Sequence, residues 1–364
     1  MATLQDIASC VGVDSSTVSR VVNGRPEARV RDEVRRRILE AARELGYRPN
    51  AYARGLARGR GSQVTLVFWT AASHYSSRRV RMIEGLLATP ERPVMSIDAA
   101  SLPRSRPQLL QDVLGSQLPE AVVFVGGSMP AEEISEVVRS LHKGGVHCVI
   151  ADLPWDVAPD VPCDTVRADR IQGAMLPVNH LLELGHRHIG FVSQVRLTGR
   201  LAGYEQALAA RGIAERYVAP LEPEASHGDY AVLGPPAREQ TRALLERHPQ
   251  ISALVCGTDV LALAAMQALH SLGLRVPEDV SVVGYDNDPW TEFLPLPLTT
   301  VEHPLDEISR VVKEILSARL GGDRGPWRRV ELDYRLIVRA STAATDVRGR
   351  EAETTSGGSR ESSP

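Results

Sequence analysis

The chain has 364 residues, with 42 Lys and Arg against 45 Asp and Glu, a net charge of −3, 43% hydrophobic and only 4% aromatic residues. That length allows two or three domains with sizeable cores, and the composition holds no apolar run long enough to span a membrane. The N-terminus lacks a basic-then-apolar leader, which predicts a cytoplasmic protein. Cys10, Cys148, Cys163 and Cys256 stand far apart with no Cys-x-x-Cys pair or Cys/His cluster. Structural zinc and a disulfide framework are therefore not expected, and all four read as small buried hydrophobes.

Residues 3–24 read TLQDIASCVGVDSSTVSRVVNG. Leu4, Ile7, Ala8 and Val11 fall at the i, i+3, i+4, i+7 spacing of one buried helix face. Thr3 and Asp6 have capping-box spacing, and Gly12 can take the positive φ of a tight turn. Asp14 is a natural N-cap for a second helix that buries Val18, Val21 and Val22. This pattern predicts a helix-turn-helix of the kind that enters a DNA major groove. The outer face would then carry Ser15, Ser16, Thr17, Ser19, Arg20 and Asn23, short polar groups and one arginine suited to base edges. A generic pair of helices with a solvated face is the alternative.

Residues 27–46 form a third helical pattern, with Val34, Ile38, Ala41 and Leu45 inward, Arg31, Arg35, Arg36 and Arg37 outward, and Gly46 as terminator. Pro49 blocks its continuation. In YRPNAYARGLARGRG, residues 47–61, Asn50 can cap a short helix across 51–58. That helix would present Ala53, Arg54 and Leu56 to a minor groove, with Leu56 wedged between base steps. A flexible basic linker is the other reading. Residues 1–61 contain twelve Arg, no Lys and seven acidic residues, about +5, which leaves about −8 on the remainder. A basic head on an acidic body suits phosphate binding by the head alone.

From residue 63 short apolar runs alternate with helical patterns. Strands are predicted at 64–68, 94–97, 121–125, 146–150, 189–192, 253–256 and 280–283. Helices are predicted near 78–88, 106–117, 131–143, 170–184, 199–210, 237–247, 259–271 and 305–319. Repeated βα units imply an α/β fold with a parallel sheet covered on both faces. There are too many strands for one small sheet, and the segment at 164–174 reads as a crossing into a second, similar unit. Residues 346–364, rich in Ser, Gly, Glu and Arg, read as a disordered tail.

TVSRVVNG followed by YRPNAYARGLARG resembles the head and hinge of the lactose-repressor/galactose-repressor family of bacterial transcription regulators. The resemblance continues through HLLELGHRHIGFV at 180–192, RLAGYEQAL at 200–208, LRVPEDVSVVGYDN at 274–287, PLTTVEHP at 297–304 and a final strand ending VRAST at 338–342. It implies two doubly wound parallel-sheet lobes like those of periplasmic sugar-binding proteins, joined by three crossovers. The expected division is head 1–46, hinge 47–61, lobe 1 at 62–162 with 305–322, and lobe 2 at 163–304 with 323–345.

Ligands on such lobes bind beyond the carboxyl ends of the strands. Arg200 opens a helix after one predicted strand and can donate to two oxygens at once. Asp286 follows another strand and can accept from vicinal hydroxyls, and the resemblance implies effector contact for both. Asp259 starts a helix and reads equally as a cap or a ligand. Trp290 and Trp155 could shelve a sugar ring or simply pack. The family's Asn-Pro-Phe-Phe-like run is replaced by TAASHYSSRRVRMIEG at 70–85, so that Arg78 and Arg79 stand where an aromatic pair is usual, and Thr258 replaces an asparagine. These changes favour an anionic effector or a crevice that has lost its ligand.

No phosphate-binding loop, dinucleotide fingerprint, zinc-protease motif or nucleophile elbow is present. Asp286 and Asp288 form a carboxylate pair with no accompanying nucleophile or metal set. The expectation is a non-enzymatic, homodimeric repressor without metal or cofactor, whose partners are double-stranded operator DNA and a small-molecule effector. A solute-binding protein, or a regulator without effector response, is the alternative.

Overall fold

The computed structural model describes residues 2–22, 30–47, 63–69, 74–89, 92–99, 107–117, 119–126, 130–153, 158–194, 198–221 and 230–345. Three helices open the chain: α1 (Leu4–Val11), α2 (Ser15–Val22) and α3 (Asp32–Glu44). The Thr3 hydroxyl accepts from the Asp6 N–H at 3.2 Å while the Asp6 carboxylate accepts from the Thr3 N–H at 2.8 Å. Two of the donors orphaned at the helix start are thereby satisfied. Gly12 ends α1 at φ 75°, and the Thr17 N–H donates to Asp14 at 2.8 Å, capping α2. Ile7, Ala8, Val11, Val18, Val21, Ile38, Ala41 and Ala42 close a small core.

Two expectations for the head fail. Leu45 is 42% exposed, because α3 stops at Glu44 and Leu45 becomes its C-cap; Ala42 takes its place on the buried face. Cys10 is exposed, since it lies to the flank of the face formed by Ile7, Ala8 and Val11 on α1.

The body contains β1 (Val64–Phe68), α4 (His74–Leu87), β2 (Val94–Asp98), α5 (Pro107–Gln117), β3 (Ala121–Val125), α6 (Ala131–Lys143), β4 (His147–Ala151) and β5 (Asp164–Ala168). It continues with α7 (Arg170–Glu183), β6 (Ile189–Gln194), α8 (Thr198–Ala210), β7 (Tyr217–Leu221), α9 (Tyr230–Arg247), β8 (Ala253–Cys256), α10 (Asp259–Ser271) and β9 (Ser281–Tyr285). A 3-10 turn at Pro289–Glu292 precedes β10 (Thr299–Glu302), α11 (Leu305–Leu320), β11 (Arg329–Leu332) and β12 (Arg335–Ile337). Two six-stranded sheets result, in the orders β11-β5-β4-β3-β1-β2 and β12-β10-β9-β8-β6-β7. Every pairing is parallel except β10 with β12.

Strands buried on both faces explain the continuous apolar runs VVFV and SVVG. In the first sheet, one face packs Leu66, Val123 and Val149 against Ile83, Ile308, Val312 and Ile315. The other packs Val122, Phe124 and Ile150 against Leu110, Leu114, Ile134 and Val138. The second sheet is covered likewise by α9 and α10 on one side and by α7 and α8 on the other.

Sheet pairing moves the expected lobe boundaries. β5 pairs with β4 and β11 with β5, so 164–168 and 329–332 belong to the first lobe, and the chain crosses at 168–170, 302–305 and 332–335. β5 was hidden because its half-buried DTVRA carries two charges. The last strand is Arg335–Ile337, short of 338–342; beyond it the chain still follows the sheet, with the Val282 N–H donating to the Ser341 carbonyl at 2.8 Å. α9 begins at Tyr230, upstream of residue 237, and contains Pro235 and Pro236.

Candidate functional site

On α2, Ser15, Ser16 and Arg20 are exposed and Thr17 and Ser19 half-buried, while Val18 and Val21 face the core. The polar face is organised in advance. Ser16 and Thr17 hydroxyls donate to Asp14, whose carboxyl is held well below the usual carboxylate range by those two side chains and the Thr17 N–H. The Arg20 guanidinium lies back along the helix, reaching the Ser16 hydroxyl at 3.1 Å and the Thr17 hydroxyl at 3.2 Å. A stripe of hydroxyls and one arginine is therefore presented on the exposed side of a well-anchored helix. Thr3, also exposed, is engaged with Asp6. Asn23, Asn50, Ala53, Arg54 and Leu56, with the whole expected hinge helix, lie outside the described residues, as do Trp155 and 346–364.

The second group of candidates gathers where the strand ends of the two lobes meet. Arg200, in the first turn of α8, donates to the Gly257 carbonyl and to Asp286 at 3.0 Å. Its guanidinium lies over the Tyr285 ring, 3.8 Å from the centroid. Asp286 follows β9 at φ 113°, a conformation that is unusual for a side-chain-bearing residue and is typical of functional sites. Burial pushes the Asp286 carboxyl up to about 7 despite the Arg200 beside it.

Asp259 stands behind this pair rather than in it. It is fully buried, with one oxygen accepting from the Thr300 hydroxyl and the other from the Asp288 N–H at 2.7 Å. It fixes the 286–288 turn; Thr258, not Asp259, is the N-cap of α10. Burial, with Asp286 nearby, pushes its carboxyl well above the usual range, and it serves as an anchor of the turn. Trp290 is half-buried in the 3-10 turn.

Arg78 and Arg79 do different things. Arg78 reaches across to the Asn287 carbonyl at 3.4 Å. Arg79 is buried and donates to Asp152 at 2.8 Å. The other oxygen of Asp152 accepts from Arg170 at 3.1 Å, and the Asp152 carbonyl accepts from the same guanidinium at 3.0 Å. Burial opposes charge on Asp152, yet Arg170 and Arg79 hold its carboxyl below the usual range.

Asp152, Arg170, Tyr285, His303 and Tyr334 went unnoticed in the sequence. His303 and Tyr334 sit on two of the crossovers, with the Tyr334 hydroxyl 3.3 Å from His303 Nε2 and the Tyr285 ring 5.5 Å from that of Tyr334. Burial pushes the imidazole well below its ordinary value. The available signal for Asp152 was its place just after a predicted strand, the same signal that flagged Asp286.

The crevice offers guanidinium forks, carboxylate acceptors and a tyrosine face, a set that fits a small polar ligand. Among the described residues no cluster is placed to hold a metal, and no helix is long and apolar enough to cross a membrane.

Residues 3–50 match the domain described as bacterial regulatory proteins, lacI family. Residues 178–342 match the periplasmic binding protein-like domain. The chain is 31% identical over 351 residues to the transcriptional repressor CytR of Escherichia coli, covering 94% of this chain and 97% of that one. The crystal structure of the lac repressor dimer bound to operator and an anti-inducer superposes with a TM-score of 0.79 at 24% identity, covering 94% of this chain and 99% of that one. The complex of the transcriptional regulator CelR with cellobiose gives a TM-score of 0.63 at 28% identity, covering 94% and 100%. A helix-turn-helix head, two parallel-sheet lobes and full-length similarity to such regulators agree: this chain belongs to the lacI family of bacterial regulatory proteins.

Proposed function

We propose that the protein is a homodimeric repressor acting on DNA in the cytoplasm, and that a sugar or anionic sugar derivative held between the lobes controls its operator affinity. The observation that carries this reading is the conjunction in one chain of an exposed Ser/Thr/Arg helix face on the head and the buried Arg200–Asp286 pair in the crevice of the body. The head supplies Ser15, Ser16 and Arg20 for base edges, with two copies reading the halves of a near-palindromic site. The segment at 47–61, with Asn50, Ala53, Arg54 and Leu56, would meet the minor groove between them.

A ligand shifts the lobes only through its differential affinity for their arrangements. Arg200 and Asp286 come from lobe 2, and Arg78, Arg79 and Asp152 from lobe 1, so a ligand touching both sets senses the angle between them. The crossovers carrying His303 and Tyr334 pack on Tyr285, the residue under Arg200, and so lie next to the pair a ligand would engage. The relatives this chain matches are transcription regulators, and no catalytic role is proposed for the carboxylates.

The test is operator selection with purified protein, followed by operator affinity measured with and without a panel of sugars and sugar acids. The expected result is a defined two-half-site sequence and at least one compound that changes affinity, with the ratio of the two affinities collapsing to one in Arg200→Ala. A normal ratio in both Arg200→Ala and Asp286→Ala would place the effector outside the crevice.

A further inference from the structure

The two lobes repeat one constellation. Sheet orders β11-β5-β4-β3-β1-β2 and β12-β10-β9-β8-β6-β7 pair β1 with β6, β3 with β8 and β4 with β9 as equivalent positions. In lobe 2 an arginine on the helix after the first of these strands, Arg200, lies on the glycine after the second, Gly257, and pairs with the aspartate after the third, Asp286. In lobe 1 Arg79, on the helix after β1, lies against Gly126, just after β3, so closely that any Cβ there would collide with the guanidinium. Arg79 pairs with Asp152, just after β4. Asp152 and Asp286 also share a positive φ, 53° and 113°. Lobe 1 thus presents to the crevice a counterpart of the pair assigned to effector contact in lobe 2.

The counterparts differ in charge. Asp286 serves one guanidinium, whereas Asp152 serves two, Arg79 and Arg170. Arg78 reaches across to the Asn287 carbonyl, beside Asp286. Two guanidiniums share the single carboxylate of Asp152, while Asp286 has one, so the excess of positive charge lies at the Asp152 end. Arg170, at 28% side-chain exposure, is the guanidinium able to turn toward an incoming oxyanion. Its Cβ lies 3.5 Å from where a Cβ on Gly199 would stand, next to Arg200.

We propose that the crevice takes a polyhydroxylated ligand in one orientation, its phosphate or carboxylate between Arg79 and Arg170 above Asp152 and its hydroxyls on Arg200 and Asp286. Planar guanidiniums match such oxyanions bidentately. This rests on the effector reading above and assigns to Arg79, Asp152 and Arg170 the choice of ligand class.

The experiment is a thermal-shift titration of the full-length protein with D-glucose, D-glucose 6-phosphate, D-glucuronate and inorganic phosphate, at constant ionic strength. An anionic compound should bind more tightly than D-glucose; which of the two sugar acids does so separates phosphate from carboxylate. Arg170→Gln should weaken the anion by about tenfold or more. Asp152→Asn should tighten it, because two guanidiniums lose their competing carboxylate. These opposite responses are not expected of a merely structural cluster. Equal binding of D-glucose and the anions, or anion affinity indifferent to both substitutions, overturns the proposal. If anion binding follows both substitutions but no anionic compound alters operator affinity, the site stands and the effector reading falls. If neutral sugars alone alter operator affinity through Arg200, the effector reading stands and the anion site falls.

Discussion

Gly126→Ala tests the lobe 1 constellation directly. Gly126 has φ 60°, so alanine there meets the left-handed backbone cost of about 1–2 kcal/mol. Its Cβ would also overlap the Arg79 guanidinium. An exposed arginine would swing away at little cost, but Arg79 is only 7% exposed and is held by Asp152 at 2.8 Å. Displacing it forfeits a charge-assisted hydrogen bond inside the protein, worth about 1.5–3 kcal/mol. The substitution should therefore cost about 2.5–5 kcal/mol in wild type. In an Arg79→Ala background only the backbone cost should remain, leaving a coupling of about 1.5–3 kcal/mol. Because a chain with a head and two lobes need not unfold in two states, the assay is native-state hydrogen exchange read at the amides of β3 and β4. Equal costs in both backgrounds would show that Arg79 does not lie on Gly126, and the repeat between the lobes would lose its first-lobe member.

Arg20→Ala should cost about 1–3 kcal/mol of discrimination at one operator position; uniform weakening across operator variants would make Arg20 a phosphate contact instead. Asp164→Ala should destabilise lobe 1 by about 3–5 kcal/mol, because Arg319 is 2% exposed and donates to it twice, at 2.9 and 2.8 Å. Exchange protection in β5 and α11 reports that loss, and an unchanged value would refute it. Burial holds Asp286 at about 7, so between about pH 4 and 7 the native state keeps a proton that the unfolded chain has released. That contribution to stability falls as pH rises through this window. Wild type should gain on Asp286→Ala toward low pH in lobe 2 exchange, and a difference independent of pH would contradict the shift.

The first two helices of the head were legible almost to the residue, because their determinants are local, whereas the third, expected over 27–46, runs only from Asp32 to Glu44. Thr3 with Asp6, Gly12 and Asp14 act over three or four positions, and the apolar spacing of α1 and α2 has one period. The central strands were legible for a related reason: β3 and β8 are buried on both faces and read as unbroken apolar runs, and β1 is broken only by Thr65. Where burial is one-sided the signal fails. β5 alternates between buried and half-buried residues, and β11 and β12, at the sheet edges, carry Arg329, Glu331 and Arg335. Pairing partners remote in the chain decide their membership, more than a hundred residues away for β11, where Arg329 lies beside Thr165, and no short window along the chain contains both.

The site divides in the same way. Arg200 and Asp286 could be picked out singly, since each follows a predicted strand at the end where ligands bind. That Asp259 turns inward could not be, because its fate depends on Thr300 and the Asp288 N–H, groups on another strand and another loop. Arg79 is the sharper case. Against a family pattern it is a departure, an arginine replacing an aromatic, and nothing nearby in the chain accounts for it. Its explanation requires Gly126 and Asp152, 47 and 73 positions further on, brought to it by a sheet whose strand order matches that of the other lobe. The chain shows little sequence repetition between its halves, yet both sheets deliver an arginine, a glycine and an aspartate to equivalent strand ends. A buried guanidinium needs a carboxylate, and the helix after the first strand approaches the ends of the third and fourth in either lobe. The same geometry therefore admits the same solution twice. What distinguishes the copies is Arg170, contributed by the helix that follows the first crossover, and it is this residue that makes one end of the crevice more basic than the other.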